Sequence, residues 1–386
     1  MICDADVHFC PKHLFDDLKP IYPDFVDFYN NLCWGYDLDS VWTKYYNVFK
    51  DPNWPECHTR ESFSNLPLHC RLEIKADLDK GGDNLFKINK DATRVIIEAP
   101  GNYAPDLNAH LDAFDVLKID RQLLTVYAPH MLMFYQSEKQ FAVDMMYTWN
   151  NKVHQITQAY PNKFDAVGWL ALQDLEASLK ELERIIDLGF FAVQIHDHVP
   201  MSFIPEMWKI FEICEKNNFP IYTHPTRYNP YPLPWKTSDT DPDYIKLRNK
   251  FSYPLSSYII NFVGMTLPGN ILDKYPNLKI IVAERGIKLF SELGQSLADA
   301  GIPDPMPFFQ KNFYFTVEPE LDQFLEHASR IGWDRLLFGT DYPHQDPGGM
   351  NRFKDVDLIN QFLEKNQITQ HQYDQLTHKN YLSLKR

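Results

Sequence analysis

The chain has 386 residues, enough for one large α/β barrel with insertions or for two smaller domains. A hydrophobic fraction of 44% and an aromatic fraction of 15% exclude a disordered chain and imply a substantial core. The formal net charge of −14 leaves no basic surplus to displace counterions from a nucleic-acid backbone, so no nucleic-acid partner is expected; a small anionic substrate needs only one or two local cations.

Residues 2–8 read as a first strand ending in Asp-x-Asp-x-His. From about 9 to 90 the pattern becomes aromatic-rich and partly helical, with Trp34, Tyr36, Trp42, Tyr45, Tyr46, Phe49 and Trp54 crowded together and a turn at Gly81-Gly82-Asp83. A strand-sized run at 94–98 follows this insertion. A regular alternation then begins: a strand at 119–127, a helix at 139–159, and a strand at 164–172. Asp174 is placed to cap the next helix, where Leu179, Leu182, Ile185 and Ile186 recur at helical spacing before Gly189 stops it. Further strands are expected at 190–195, 219–223, 278–283, 312–317 and 335–338, with helices between them, one of them near 257–274. Residues 225–256 are too long for an ordinary strand-to-helix connection and could form a lid or pocket wall. The tail from 353 to 384 is helical and amphipathic.

Eight strands, mostly followed by helices, match a (β/α)8 barrel. A doubly wound open sheet is the alternative, but no Gly-rich phosphate loop follows the first strand. With no repeat and no linker, residues 1–386 read as one domain. The six cysteines show no CxxC pair and no framework, which suits reduced thiols in a cytoplasmic protein. The N-terminus lacks the basic and apolar regions of a signal peptide, and no apolar run approaches the roughly 20 residues that span a bilayer.

Several of these strands end in an ionisable residue. Asp6 and His8, two apart on a strand, share a face, which in a closed barrel is the interior. His224 in Thr223-His224-Pro225 and Asp341 in Gly339-Thr340-Asp341-Tyr342-Pro343 lie at other strand tips. Two imidazoles and two carboxylates suit Zn²⁺, and Mn²⁺ or Fe²⁺ nearly as well. Burying such groups is costly, and a divalent cation offsets that cost. His196 and His198 follow the fourth strand, and Glu284 and Arg285 end the sixth. Arg227 and Arg285 could each grip a carboxylate through two parallel hydrogen bonds. His130 and His344 are weaker candidates, and His58, His69 and His110 read as ordinary polar residues.

The run Asp4-Ala5-Asp6-Val7-His8 resembles the Asp-x-His-x-His opening of the amidohydrolase-related family 2, with Asp6 in place of the first His. Residues 220–225 are similar to that family's fifth-strand motif, and Tyr275-Pro276-Asn277-Leu278-Lys279 to its lead into the sixth strand. Phe338-Gly339-Thr340-Asp341-Tyr342-Pro343-His344 resembles its most specific signature. Asn150-Asn151, Tyr160-Pro161 and the Glu181–Arg184 region also fit. The family has a metal-dependent (β/α)8 barrel and includes non-oxidative decarboxylases of the aminomuconate-semialdehyde and hydroxybenzoate types, beside hydrolases and hydratases. The resemblance implies Asp6, His8, His224 and Asp341 as metal ligands; an acid at the first position occurs among the hydroxybenzoate decarboxylases. Most members carry a His before Gly-Gly on the sixth strand, whereas this chain has Ala283-Glu284-Arg285-Gly286.

The expectation is a homodimeric, metal-dependent decarboxylase of a small hydroxylated aromatic or unsaturated carboxylic acid, using one divalent ion, Zn²⁺ foremost, and no organic cofactor. Asp341, Glu284 and His198 would be catalytic, and Arg227, Arg285, His196 and His344 would contact substrate. A metal-dependent hydrolase of an amide, lactone or cyclic C–N bond is the second reading, and a barrel that only binds a ligand the third.

Overall fold

The computed structural model describes residues 1–9, 13–23, 106–126, 139–196, 201–224, 256–284, 287–298, 303–319, 323–342 and 355–386, with a few isolated positions and pairs between them. Eight parallel strands follow one another around a single sheet: β1 (Cys3–His8), β2 (Arg121–Thr125), β3 (Phe164–Trp169), β4 (Ala192–Gln194), β5 (Ile221–Thr223), β6 (Ile280–Val282), β7 (Phe313–Val317) and β8 (Leu336–Phe338). The two ends of the sheet meet where Val7 forms a parallel bridge to Tyr342 and the His8 N–H donates to the Tyr342 carbonyl at 2.8 Å. This is the expected (β/α)8 barrel.

Helices α1 (Leu107–Leu117), α2 (Lys139–Ala159), α3 (Leu175–Asp187), α4 (Trp208–Lys216), α5 (Ser256–Thr266), α6 (Ile287–Ala298) and α7 (Phe324–Ile331) run between successive strands. Their boundaries follow local chemistry. The Asp174 carboxylate accepts from Ala177 N–H at the start of α3, and Gly189 takes up φ +79° just past its end, where an L side chain would be strained. The helix expected near 257–274 is two: Pro268-Gly269 follows α5, Gly269 turns the chain at φ +76°, and Asn270 starts a separate turn at Ile271–Lys274. Pro and Gly break a pattern whose apolar spacing alone reads as continuous.

Two apolar layers result. Side chains between sheet and helices form the larger one. The smaller fills the barrel with Cys3, Ala5, Leu123, Val167, Tyr222, Ile281, Leu337 and their neighbours. At the N-terminal mouth that filling includes Tyr381 and Leu384 from the last helix, α9 (Asn380–Leu384), which follows α8 (Asp355–Glu364), a short helical turn and a π turn. Cys3 and Cys214 are buried and unoxidised, and burial pushes the Cys3 thiol up to about 12, so it is not a reactive thiolate. Among the described residues no helix is long and apolar enough to cross a membrane. Most of the insertion expected at 9–90, past residue 23, and nearly all of the long connection at 225–256 lie outside the described residues.

Candidate metal centre and active site

Asp6, His8, His224 and Asp341 come together at the C-terminal mouth of the barrel. One donor atom from each lies within 4.8 Å of all the others, and all four residues are buried. His8 Nε2 is 2.8 Å from Asp341 Oδ1, and the His8 and His224 rings meet edge to face at 4.6 Å between centroids. Glu284 stands beside them, with Oε2 at 3.5 Å from His224 Nε2 and Oε1 at 3.9 Å from His8 Nε2. Its side chain is the one partly open member, at 24% exposure, so it faces whatever enters the mouth.

The backbone explains how these side chains converge. Cys3 and Ala5 both face the barrel interior, and strict alternation would turn Asp6 away from it. A register shift in β1 between Asp4 and Val7 inserts one extra residue against β2, since Asp4 pairs with Gln122 but Val7 with Leu124. This bulge reverses the parity and sends Asp6 inward. On β5, Tyr222 and His224 alternate inward with no such device. Glu284 and Asp341 each adopt a left-handed backbone, at φ +51° and +54°, sparsely populated for residues with a side chain. Glu284 follows Ala283, itself inward, and the positive φ aims both consecutive side chains at the interior.

Around Asp6 each carboxylate oxygen accepts a hydrogen bond from a neighbouring side chain. Tyr222 Oη–H donates to Oδ1 at 2.8 Å and Thr316 Oγ1–H to Oδ2 at 2.9 Å, while Thr316 Oγ1 accepts from Glu284 N–H at 3.2 Å. Gly339 leaves room for this arrangement: a Cβ there would stand 2.8 Å from Asp6 Cβ. Burial, the largest influence, raises the Asp6 pKa, with the Asp341 charge adding to it and the His224 and His8 charges opposing. Burial likewise pulls the His8 imidazolium down, but the Asp341 and Glu284 carboxylates outweigh it and carry His8 up to about 10. Burial also pushes Asp4, directly below, up to about 7, against the bonds that Thr340 donates to it.

Three carboxylates so close together repel one another, and positive charge between them relieves that repulsion. Tyr222 and Thr316 hold Asp6 as an acceptor, the state a metal ligand needs. The donor set therefore fits a divalent ion.

His196 is buried two residues past β4, at the same end of the barrel. His198, Arg227, Arg285, His344 and His130 lie outside the described residues. His110 is more than an ordinary polar residue: it is fully buried on α1, with Nδ1 at 3.1 Å from Gln122 Oε1. Burial lowers it to about 4, and its ring packs edge-on against Phe9 and Tyr342. Tyr222, Thr316, Asp4 and Thr340 were the site residues that sequence reasoning passed over. Tyr222 and Thr316 sit on strands, two residues below or opposite a ligand, where inward-facing parity alone would have flagged them.

Fold and donor set together define a (β/α)8-barrel enzyme with a site built for a divalent metal. The chain belongs to the amidohydrolase family, whose model matches residues 105–380. It is 24% identical over 276 residues to γ-resorcylate decarboxylase of Rhizobium sp., covering 64% of this chain and 82% of that protein. It is 26% identical over 314 residues to 2-amino-3-carboxymuconate-6-semialdehyde decarboxylase of Dictyostelium discoideum, covering 75% and 78%. Among solved structures, 5-carboxyvanillate decarboxylase of Novosphingobium aromaticivorans, complexed with manganese and 4-hydroxy-3-methoxy-5-nitrobenzoic acid, superposes with a TM-score of 0.62 at 16% identity, over 100% of this chain and 95% of that one.

Proposed function

We propose that this protein is a metal-dependent, non-oxidative decarboxylase of a small hydroxylated aromatic or unsaturated carboxylic acid. The observation that carries the proposal is the cluster of Asp6, His8, His224 and Asp341 at the catalytic mouth of the barrel, in a chain whose relatives are decarboxylases of resorcylate and aminocarboxymuconate semialdehyde. Those four residues would hold one divalent ion. Manganese is the ion in the carboxyvanillate decarboxylase structure, and the donor set accepts Zn²⁺ equally. The ion would supply Lewis-acid charge stabilisation for the substrate's carboxylate and a neighbouring hydroxyl.

The chain's own groups do the rest. Asp341, protonated in the complex, delivers its proton to the carbon bearing the carboxylate. The carbon–carbon bond then breaks, carbon dioxide leaves, and conjugation returns. Asp341 remains as a carboxylate and regains its proton from water. His8, 2.8 Å from Asp341, fixes the orientation of that carboxyl. Arg227 and Arg285 are assigned to the substrate carboxylate, and His196, His198 and His344 to its polar groups, on sequence position alone.

One observation favours a second reading. Glu284 is a partly exposed carboxylate beside two imidazoles, and there it could serve as general base toward an attacking water in a hydrolase. Incubation with 2,6-dihydroxybenzoate and 5-carboxyvanillate in heavy water separates the two. The decarboxylase yields carbon dioxide and a product with one deuterium at the vacated position. Turnover of amide or lactone substrates alone, with oxygen from labelled water in the product, would replace this reading with the hydrolase.

A further inference from the structure

We propose that Asp4 and Thr340 form a clasp that positions Asp341 and Asp6 for the metal. The inference rests on the metal-dependent reading of the site but concerns residues outside its donor set. Among the described residues, the seam between β1 and β8 is the least laddered joint of the barrel. Each other pair of neighbouring strands is joined by a ladder of two or more residue pairs, whereas here a single bridge joins them, Val7 to Tyr342. Where further ladder bonds would run, a carboxylate stands instead. Asp4 Oδ1 accepts from Thr340 N–H at 3.0 Å and from Asp6 N–H at 3.2 Å, and Oδ2 accepts from Thr340 Oγ1–H at 2.6 Å. Asp4 is fully buried, so these three bonds form away from competing water.

The consequence falls on two ligand positions at once. Thr340 and Tyr342 flank Asp341, and both are fixed: Thr340 to Asp4, and Tyr342 through its carbonyl to His8 N–H and through its N–H to Thr340 Oγ1 at 3.2 Å. Asp341 projects between two pinned neighbours at φ +54°, a conformation that persists only where its surroundings over-determine it. On the other strand, the same Oδ1 holds Asp6 N–H at the bulge that turns Asp6 inward. One carboxylate thus sets the backbone of two ligands that lie at opposite ends of the sequence. From the helical side, the His110 ring packs against both Phe9 and Tyr342, closing the seam from behind. Asp4 and Thr340 are positioning residues: they touch neither the donor cluster's centre nor the mouth.

The test is a titration of Mn²⁺ into chelator-treated, folded wild-type, Thr340→Val, Thr340→Ser and Asp4→Asn proteins, with melting temperature recorded for each metal-free form. Valine matches threonine in shape and removes only the hydroxyl. The expected result is a loss of Mn²⁺ affinity of about 10- to 100-fold in Thr340→Val and Asp4→Asn, with Thr340→Ser restored close to wild type. A merely structural clasp would lower the melting temperature and leave the affinity of the folded protein unchanged; that result overturns the inference. Should Asp4→Asn fail to fold, Thr340→Val decides alone. Wild-type protein that takes up no Mn²⁺ or Zn²⁺ would overturn the metal reading itself, an outcome distinct from unchanged affinity in the variants.

Discussion

His8 Nε2 and Asp341 Oδ1 lie 2.8 Å apart although 333 positions separate the two residues in the chain. His8 ends the first strand and Asp341 lies three residues past the last, so this contact sits across the seam where the sheet closes on itself. In the metal-free protein it is a charged pair, because Asp341 and Glu284 outweigh burial and carry His8 up to about 10.

That pairing sets a pH dependence. A histidine raised from 6.5 contributes stability that is fully present below its unfolded value and is lost as pH rises through about 10. Asp4, raised from 3.8 to about 7, acts in the same direction over a lower window, since the folded state holds its proton more tightly. The melting temperature of chelator-treated protein should therefore fall between pH 6 and pH 9. A divalent ion replaces the His8 proton, so Mn²⁺ should raise the melting temperature more at pH 9 than at pH 6, and calorimetry near pH 8 should show about one proton released per ion bound. A metal-free protein that grows more stable across this range would contradict the assignment of the pair.

His224 tests the donor set without touching the seam. Its imidazole is buried at the mouth and joins the cluster from β5, while the core below is built from apolar neighbours. His224→Ala should lower metal affinity by more than about 100-fold, beyond the loss expected from a supporting residue, with the far-ultraviolet spectrum unchanged. Full metal occupancy by elemental analysis of the purified variant would show that the ligands are wrongly assigned.

The opposite end of the barrel should behave independently. Tyr381 fills the N-terminal mouth, fully buried, with its ring 4.6 Å from that of Phe191 and its hydroxyl donating to Asp165 Oδ2 at 2.8 Å. Asp165 also receives Arg121 at 3.0 Å and Lys385 at 2.8 Å. Tyr381→Ala should cost about 3–5 kcal/mol in urea unfolding, and Tyr381→Phe about 1 kcal/mol because Asp165 keeps its two cations. Mn²⁺ affinity of the folded variants should match wild type, since the ligands lie at the far mouth.

Much of this was legible in the sequence because its signals are local. The strand tips at Asp6-x-His8, His224-Pro225 and Gly339-Thr340-Asp341 each carry their own punctuation, and the eight apolar runs with helices between them imply the barrel. The α3 boundaries were readable for the same reason: Asp174 and Gly189 act on their immediate neighbours. What stayed hidden depends on registers and backbone angles that no short window encodes. The bulge in β1 that turns Asp6 inward is a relation between β1 and β2. Strict alternation would put Asp4, Asp6 and His8 on one face, yet Asp4 reaches sideways to Thr340. His110 looked ordinary because its burial comes from Phe9 and Tyr342, more than 100 and more than 200 positions away respectively.

Glu284 separates the two chemistries most sharply. It stands where the resemblance in sequence implies a His, and its Oε2 is 3.5 Å from His224 Nε2 at a partly open position. Its left-handed backbone, at φ +51°, is held by the bond to Thr316, so an isosteric replacement keeps the geometry and removes only the charge. In a hydrolase, Glu284 takes the proton of the attacking water, and glutamine cannot; turnover should fall by about 10²–10⁴-fold. In a decarboxylase there is no attacking water, and Asp341 supplies the only proton that reaches carbon. Glu284→Gln should then keep turnover within about tenfold of wild type. The substitution also removes a carboxylate from beside His8, so Mn²⁺ affinity must be measured alongside and turnover compared at saturating metal. Turnover abolished at full metal occupancy, with water-derived oxygen in the product, would establish the hydrolase in place of the decarboxylase.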